Sequence, residues 1–241
     1  MVAQTQPSIH QLGLRCIDFM VDPSRGIDLS MLTKKVRVEP SFLQDSHQTV
    51  GKYGFAQIKP CSLTFTAPVE LISIADTRPH DLEKNRQKGV HFFVDDYRFQ
   101  GLAKKPQKPV EKLKQYSFVL TPDFSTYREM PRWRQIESIG HSRSVGSFWQ
   151  NEGLEVIPTV TWSDAQSYEF CFCGLPQNAI VAVSTLGCLH NRTAFLRGYS
   201  AMLEYLSPKQ VICFGKTLPS MNHSNIELLH VDYIKSRRGN R

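Results

Sequence analysis

Two adjacent aspartates, Asp95 and Asp96, close the apolar run VHFFVDDYRF at residues 90–99. Carboxylates at the end of such a run can hold a divalent metal ion, activate water, or accept a hydrogen bond from a sugar hydroxyl. Asp123 ends the run YSFVLTPD in the same way, and Asp164 lies just beyond LEVIPTVTW. These four are the candidate catalytic residues. Side chains alternate along a strand, so only one of Asp95 and Asp96 can face the strand interior, while Thr121 and Asp123 share a face. Asp123 also sits between Pro122 and Phe124, poor surroundings for a carboxylate whose task is only solvation.

Thr159, Trp162, Ser184, Thr185 and Lys216 lie at further strand ends and are candidate ligand-binding residues. Arg143 joins them for a different reason. In helical spacing it falls within the stripe Trp133, Ile136, Gly140, Arg143, Ser147, where burying an unpaired guanidinium is costly. It therefore needs a carboxylate partner or an anionic ligand. Any one polar strand end has a plain structural reading, because Asp and Ser form turns. Five of them on one edge of a sheet point instead to a pocket.

The elements that must position these residues are β-α units. Short apolar strands are predicted at residues 89–96, 116–123, 154–162, 179–185 and 210–215, at β-α spacing. Two further β-rich runs precede them, SLTFTAP at 62–68 and VELISIAD at 69–76. The segment 192–206 places Phe195, Tyr199, Met202, Leu203 and Leu206 on one helical face, and Pro208 marks its end. Residues 131–150 read as a longer, less regular helix, and 162–176 as a capped helix that ends in helix or strand. The expectation is an α/β protein with a mostly parallel central sheet, either open and doubly wound or an incomplete barrel. Residues 1–50 read as a less regular N-terminal extension, 51–234 as the α/β domain, and 235–241 as a basic tail.

A hydrophobic fraction of 41% and a charged fraction of 21% are those of an ordinary globular protein. No apolar run reaches the ~20 residues of a membrane span, and the first residues do not form a signal peptide. A cytoplasmic location without a membrane partner follows as the expectation. The six cysteines have no zinc-finger spacing and read as buried hydrophobes in a reducing compartment. The net charge is +7. It is concentrated in the loop at Lys104, Lys105, Lys108, Lys112 and Lys114, and in the tail at Arg237 and Arg238. Such clusters are candidate nucleic-acid contacts, although solvated loops and frayed ends look alike. FGKT at 214–217 lacks the first glycine of a Walker A loop, and no other dinucleotide, hydrolase or zinc-protease motif is present.

With those residues in place, the chain resembles the uncharacterised prophage- and plasmid-associated family grouped as domain of unknown function 4417. The resemblance is carried by VHFFVDDYRF (90–99), VLTPDFSTYREMP (119–131), RSVGSFWQNEGLEVIPTVTW (143–162), VAVSTLGC (181–188) and FLRGYSAMLEYLSPKQVICFGK (195–216). Within these, the family's pattern falls on Asp95, Asp96, Asp123, Ser125, Arg143, Gly146, Trp149, Gln150, Pro158 and Thr159. The first 60 residues and the basic tail depart from it. The resemblance implies an α/β fold and a mobile-element setting but no reaction.

Three functions stay open at this stage. An enzyme of nucleotides or nucleic acid would use Asp95, Asp96 and Asp123 as metal ligands or general base, with Arg143 and Lys216 on phosphate. A non-catalytic component of a phage, plasmid or defence system would grip RNA, DNA or a protein partner through the basic loop and tail. A carboxylate-dependent hydrolase of sugars or nucleosides would need no metal, with Trp162 as a stacking surface.

Overall fold

The structure is a computed structural model that describes residues 47–233. The rest of the N-terminal extension and the basic tail, including Arg237 and Arg238, lie outside the described residues. A two-strand hairpin, β1 (Thr49–Val50) and β2 (Phe55–Ala56), opens the described chain. Seven parallel strands follow: β3 (Leu71–Ser73), β4 (Gly89–His91), β5 (Phe118–Leu120), β6 (Val156–Ile157), β7 (Ile180–Ser184), β8 (Gln210–Phe214) and β9 (Glu227–Val231).

Their spatial order is their chain order. β3 to β6 pair in sequence, as do β7 to β9. The two groups meet where Thr159 pairs with Ala182, through Val160 N–H to the Ala182 carbonyl at 2.8 Å and Ala182 N–H to the Pro158 carbonyl at 2.9 Å. A doubly wound sheet needs a point where strand order reverses. Right-handed crossovers in unbroken order instead put every helix on one side and curl the sheet around the other. Of the two architectures expected, the incomplete barrel is the one formed. Among the described residues no pairing joins β9 back to β3.

Alternation along the strands sorts the core. Leu71, Phe118, Leu120, Ile157, Ala182, Ile212, Phe214 and Val231 point inward and form one cluster spanning first strand to last. Burying each large side chain of this kind stabilises the fold by roughly 1.5–3 kcal/mol. Ile72, Val90, Val119 and Val156 point outward against Val145 and Trp149 of α3 (Arg132–Asn151). Val181, Val183, Val211 and Cys213 do the same against α5 (Arg192–Leu206). The remaining helices are single turns, α1 (Glu83–Arg86), α2 (Val110–Leu113) and α4 (Tyr168–Cys171).

Two expectations change, and the open choice over 162–176 falls to its helical alternative. SLTFTAP is not a strand: it crosses the lower mouth of the barrel, where the Gln210 side chain takes the place of a ladder partner. Its amide accepts from Phe65 N–H at 3.2 Å and donates to the Phe65 carbonyl at 2.7 Å. The segment 162–176 resolves into a 3-10 turn at Ala165–Ser167 and the helical turn α4, with no strand. On α3 the buried face runs through Ser138, Ser142, Val145, Gly146 and Trp149, so Trp133 points outward. That face is built of small and polar residues because Thr121 and Ile58 press close: a Cβ on Gly146 would stand 2.5 Å from Thr121 Cγ2. No helix among the described residues is long and apolar enough to cross a membrane.

Candidate functional site

The chain leaves four neighbouring strands at the same edge, and their ends surround a cleft of about 510 Å³. After β4 come Phe93, Val94 and Asp95, and after β5 come Asp123, Ser125, Thr126 and Tyr127. The end of β6 adds Val160, Thr161 and Trp162, and that of β7 adds Ser184, Leu186, Gly187 and Cys188. Phe195 of α5 closes one wall by packing on Trp162, with ring centroids 5.3 Å apart. Trp162 is held from behind, since Gly198 lies so close that a Cβ there would meet the indole Nε1 at 2.0 Å. The position beyond the strands' carboxyl ends is where barrels of this kind bind ligands.

The two adjacent aspartates divide their tasks. Asp95 lines the cleft and is exposed at its mouth. Asp96 turns to the neighbouring loop, accepting from Ser125 N–H at 3.1 Å and Ser125 Oγ at 2.9 Å. It thereby ties the loop after β4 to the loop after β5. A second tie, between the Thr126 and Thr161 hydroxyls at 3.3 Å, joins β5 to β6. These bonds hold the acidic wall in place.

Asp123 is partly buried in the cleft and makes no hydrogen bond or ion pair among the described residues. Burial, with a smaller contribution from the Asp96 charge, pushes its carboxyl up to about 7. Across the cleft the Cys188 thiol is raised above its ordinary value by burial and by the Asp123 charge. It stays protonated at neutral pH. Lower in the barrel His91 is buried against Phe93 and Phe214. Burial drops it to about 3, and its Nδ1 accepts from Phe93 N–H at 3.2 Å, so it is neutral.

The other candidate residues lie elsewhere or act structurally. Asp164 caps the 3-10 turn that follows it, accepting from Ser167 N–H at 3.0 Å, and pairs with Arg132 at 3.6 Å. Arg143 is fully buried and has no carboxylate partner among the described residues, and its Nη1 has no hydrogen-bond partner there. Its Nε and Nη2 donate to the carbonyls of Cys173 and Cys171 at 3.1 and 2.6 Å, clamping α3 onto the end of α4. Thr159 is buried, its hydroxyl donating to the Thr121 carbonyl at 2.9 Å. Thr121 itself faces α3 rather than sharing the Asp123 side, because the chain leaves the strand after Leu120 and alternation ends there. Thr185 is buried beside the Phe214 carbonyl, and Lys216 is exposed outside the cleft.

Lys104, Lys105 and Lys108 are exposed, Lys112 is half-buried, and Lys114 pairs with Glu111 at 3.0 Å. Their loop is pinned by Trp149, whose Nε1 donates to the Pro106 carbonyl at 2.8 Å. Trp149 is in the last turn of α3, which runs antiparallel to the strands, so this basic loop hangs at the edge away from the cleft. The cleft lining itself carries carboxylates and no lysine or arginine. Among the described residues no group of three or more His, Cys, Asp or Glu could hold a metal ion. Asp95 and Asp123 would supply only part of a divalent ion's oxygen shell.

Cys188 and Leu186 are cleft residues that the sequence reading did not single out, and Phe195 enters that reading only as part of the apolar helix face. Cys188 reads as one more scattered cysteine, and its only signal is its place three residues beyond Thr185 at a strand end.

Comparison of the chain with known proteins places it in a family. A family model described as a domain of unknown function, DUF4417, matches residues 47–232, nearly the same span that the structure describes. The "Gene 1 protein" of Mycobacterium phage L5 is 30% identical over 177 residues, covering 72% of this chain and 76% of the phage protein. The "Gene 1 protein" of Mycobacterium phage D29 is 35% identical over 130 residues, 53% of this chain and 48% of that protein. No solved structure matches. The chain belongs to the DUF4417 family and is similar to proteins encoded by mycobacteriophages.

Proposed function

We propose that the cleft at the carboxyl ends of β4 to β7 binds a nucleoside- or sugar-like ring and that Asp123 exchanges a proton with it. The observation that carries this reading is Asp123 itself: an unpaired carboxyl in a cleft, raised to about 7. A group with that pKa is present in both protonation states near neutral pH, and so can give or take a proton. As an acid it donates to a ring nitrogen or a leaving oxygen; as a base it accepts from water or a hydroxyl. Trp162 offers a flat apolar face, while Ser125, Thr126, Thr161 and Asp95 offer hydrogen bonds suited to hydroxyls.

Charge narrows the ligand. With Asp95 and Asp123 as the only charged residues of its lining, the cleft interior disfavours phosphate, so the neutral part of a nucleotide is what enters. The test is calorimetric titration with the four ribonucleosides and ribose beside the corresponding triphosphates, in chelator. Binding of at least one nucleoside or the sugar is expected, at least tenfold tighter than the matching triphosphate, and lost in Trp162→Ala. Tighter binding of triphosphates would sink the reading.

A second reading keeps the protein non-catalytic and places its partner on the basic loop. It is favoured by the exposure of Lys104, Lys105 and Lys108 on a loop anchored by Trp149. It predicts polyanion binding that ignores Asp123.

A further inference from the structure

Large exposed hydrophobic side chains are few among the described residues: Leu82, Tyr97, Tyr127, Trp133 and Leu186. Four of these five lie on segments that follow β4, β5 and β7 at the cleft edge, so their exposure is concentrated there rather than scattered. The three aromatic rings are largely in solvent, with Tyr97 at 65%, Tyr127 at 63% and Trp133 at 67% exposure. Tyr127 and Trp133 have no ring or cation partner among the described residues, and Tyr97 has Arg98 over its ring. Tyr97 immediately follows Asp96, whose bonds to Ser125 hold the Tyr97 loop against the loop that carries Tyr127. Trp133 stands in the first turn of α3, where the same β5 segment becomes helix.

Arginines are interleaved with these rings in sequence. Arg98 lies over the Tyr97 ring, 5.4 Å from its centroid. Arg128 follows Tyr127, is exposed, and forms no ion pair among the described residues. Asp95, Glu129 and Glu137 are exposed acids nearby, the last paired with Arg134 one turn along α3 from Trp133. The cleft interior disfavours phosphate while the rim supplies cations and stacking faces. That division suits a ligand whose phosphates stay outside while one base or sugar turns inward. A duplex has its base faces covered and offers nothing to the rings; a single strand has them free.

We infer that Tyr97, Tyr127 and Trp133, with Arg98 and Arg128, form a track for single-stranded nucleic acid across the mouth of the cleft. This deepens the proposed function, taking the nucleoside to arrive as part of a strand. Bases stack on the three rings, the arginines meet the backbone, and the unstacked nucleoside between them enters beside Trp162. A flat aromatic-arginine surface also suits a protein partner, and the experiment separates the two.

The measurement is fluorescence anisotropy of the full chain with labelled 12-nucleotide single-stranded DNA and RNA and with the matching duplex, over a salt series. A single strand should bind at least tenfold more tightly than the duplex. Tyr97→Ala and Trp133→Ala should each weaken it about tenfold, in the range of one lost stacking contact. Arg128→Ala should reduce the salt slope by about 0.7, as one phosphate contact fewer on a single strand. All three side chains are exposed, so thermal melting should stay near that of the parent. Equal binding of duplex and single strand, no binding of either, or indifference to both aromatic substitutions overturns the track and leaves a protein partner for this rim. A strand held by the rim without nucleoside binding in the cleft would sink the cleft reading alone. Nucleoside in the cleft with no strand on the rim would do the reverse.

Discussion

At the scale of single residues, Asp123 makes the sharpest demand. Its folded pKa of about 7 is raised above the ordinary aspartate value of 3.8, so over that interval the folded state holds a proton that the unfolded state has lost. Stability therefore falls as pH rises from about 4 to 7 and levels off above that. Asp123→Asn removes this penalty. Urea unfolding at pH 5 and pH 8 should show the variant gaining on the parent by an additional ~1–3 kcal/mol at the higher pH. Asp96→Asn provides a companion test. The Asp96 charge raises the Asp123 pKa, so its loss should move the midpoint of the Asp123 titration, followed by carboxyl NMR, to lower pH. An unmoved midpoint would show that burial alone sets the value. Arg143 shows a buried charge held by main-chain carbonyls in place of a carboxylate: two of its nitrogens donate to them and Nη1 is left without a partner among the described residues.

Elements set the walls of the cleft, and α5 is the one most open to test. Its N-cap Asn191 accepts from Ala194 N–H at 3.2 Å, and the helix stops at Ser207 in a left-handed conformation before Pro208. Between these ends Gly198 lets the helix lie against the Trp162 ring. A methyl group at 2.0 Å cannot be accommodated unless the indole or the helix moves. Gly198→Ala should therefore destabilise by about 1–3 kcal/mol, the usual cost of overpacking. It should also disturb Trp162 fluorescence and weaken nucleoside binding, while Arg98 and Tyr97 on the far loop keep their environment. The helix α3 shows why its own buried face was hard to read. Close approach to Thr121 favours Ser142 and Gly146 over leucines, and an irregular stripe results.

For the whole molecule, the relevant fact is that cleft and basic loop sit at opposite edges of the barrel. Lys104, Lys105 and Lys108 add positive charge outside the cleft lining, where salt screens exposed charges from one another. Reversing all three to glutamate should leave nucleoside affinity in the cleft within about twofold, read by the same titration. If the triple variant instead lost all association with nucleic acid while the rim variants kept it, the basic loop would be the main binding surface.

The sequence by itself determined the β-α rhythm, the parallel strands covered on both faces, the α5 face, and the polar residues gathered at strand ends. All of these rest on local patterns: apolar runs, turn formers, and a 3.6-residue period ended by proline. It also singled out Asp123, through its position between Pro122 and Phe124. Tertiary structure decided which strand ends converge. Strand order selected the incomplete barrel, brought together the ends of β4 to β7, and left Lys216 outside. It also turned Trp133 to solvent, made Asp164 a cap, and set Cys188 opposite Asp123. None of these is fixed by a residue's neighbours in the chain. They depend on how far the sheet curls and how closely α3 and α5 can approach it, which only the packed interior settles.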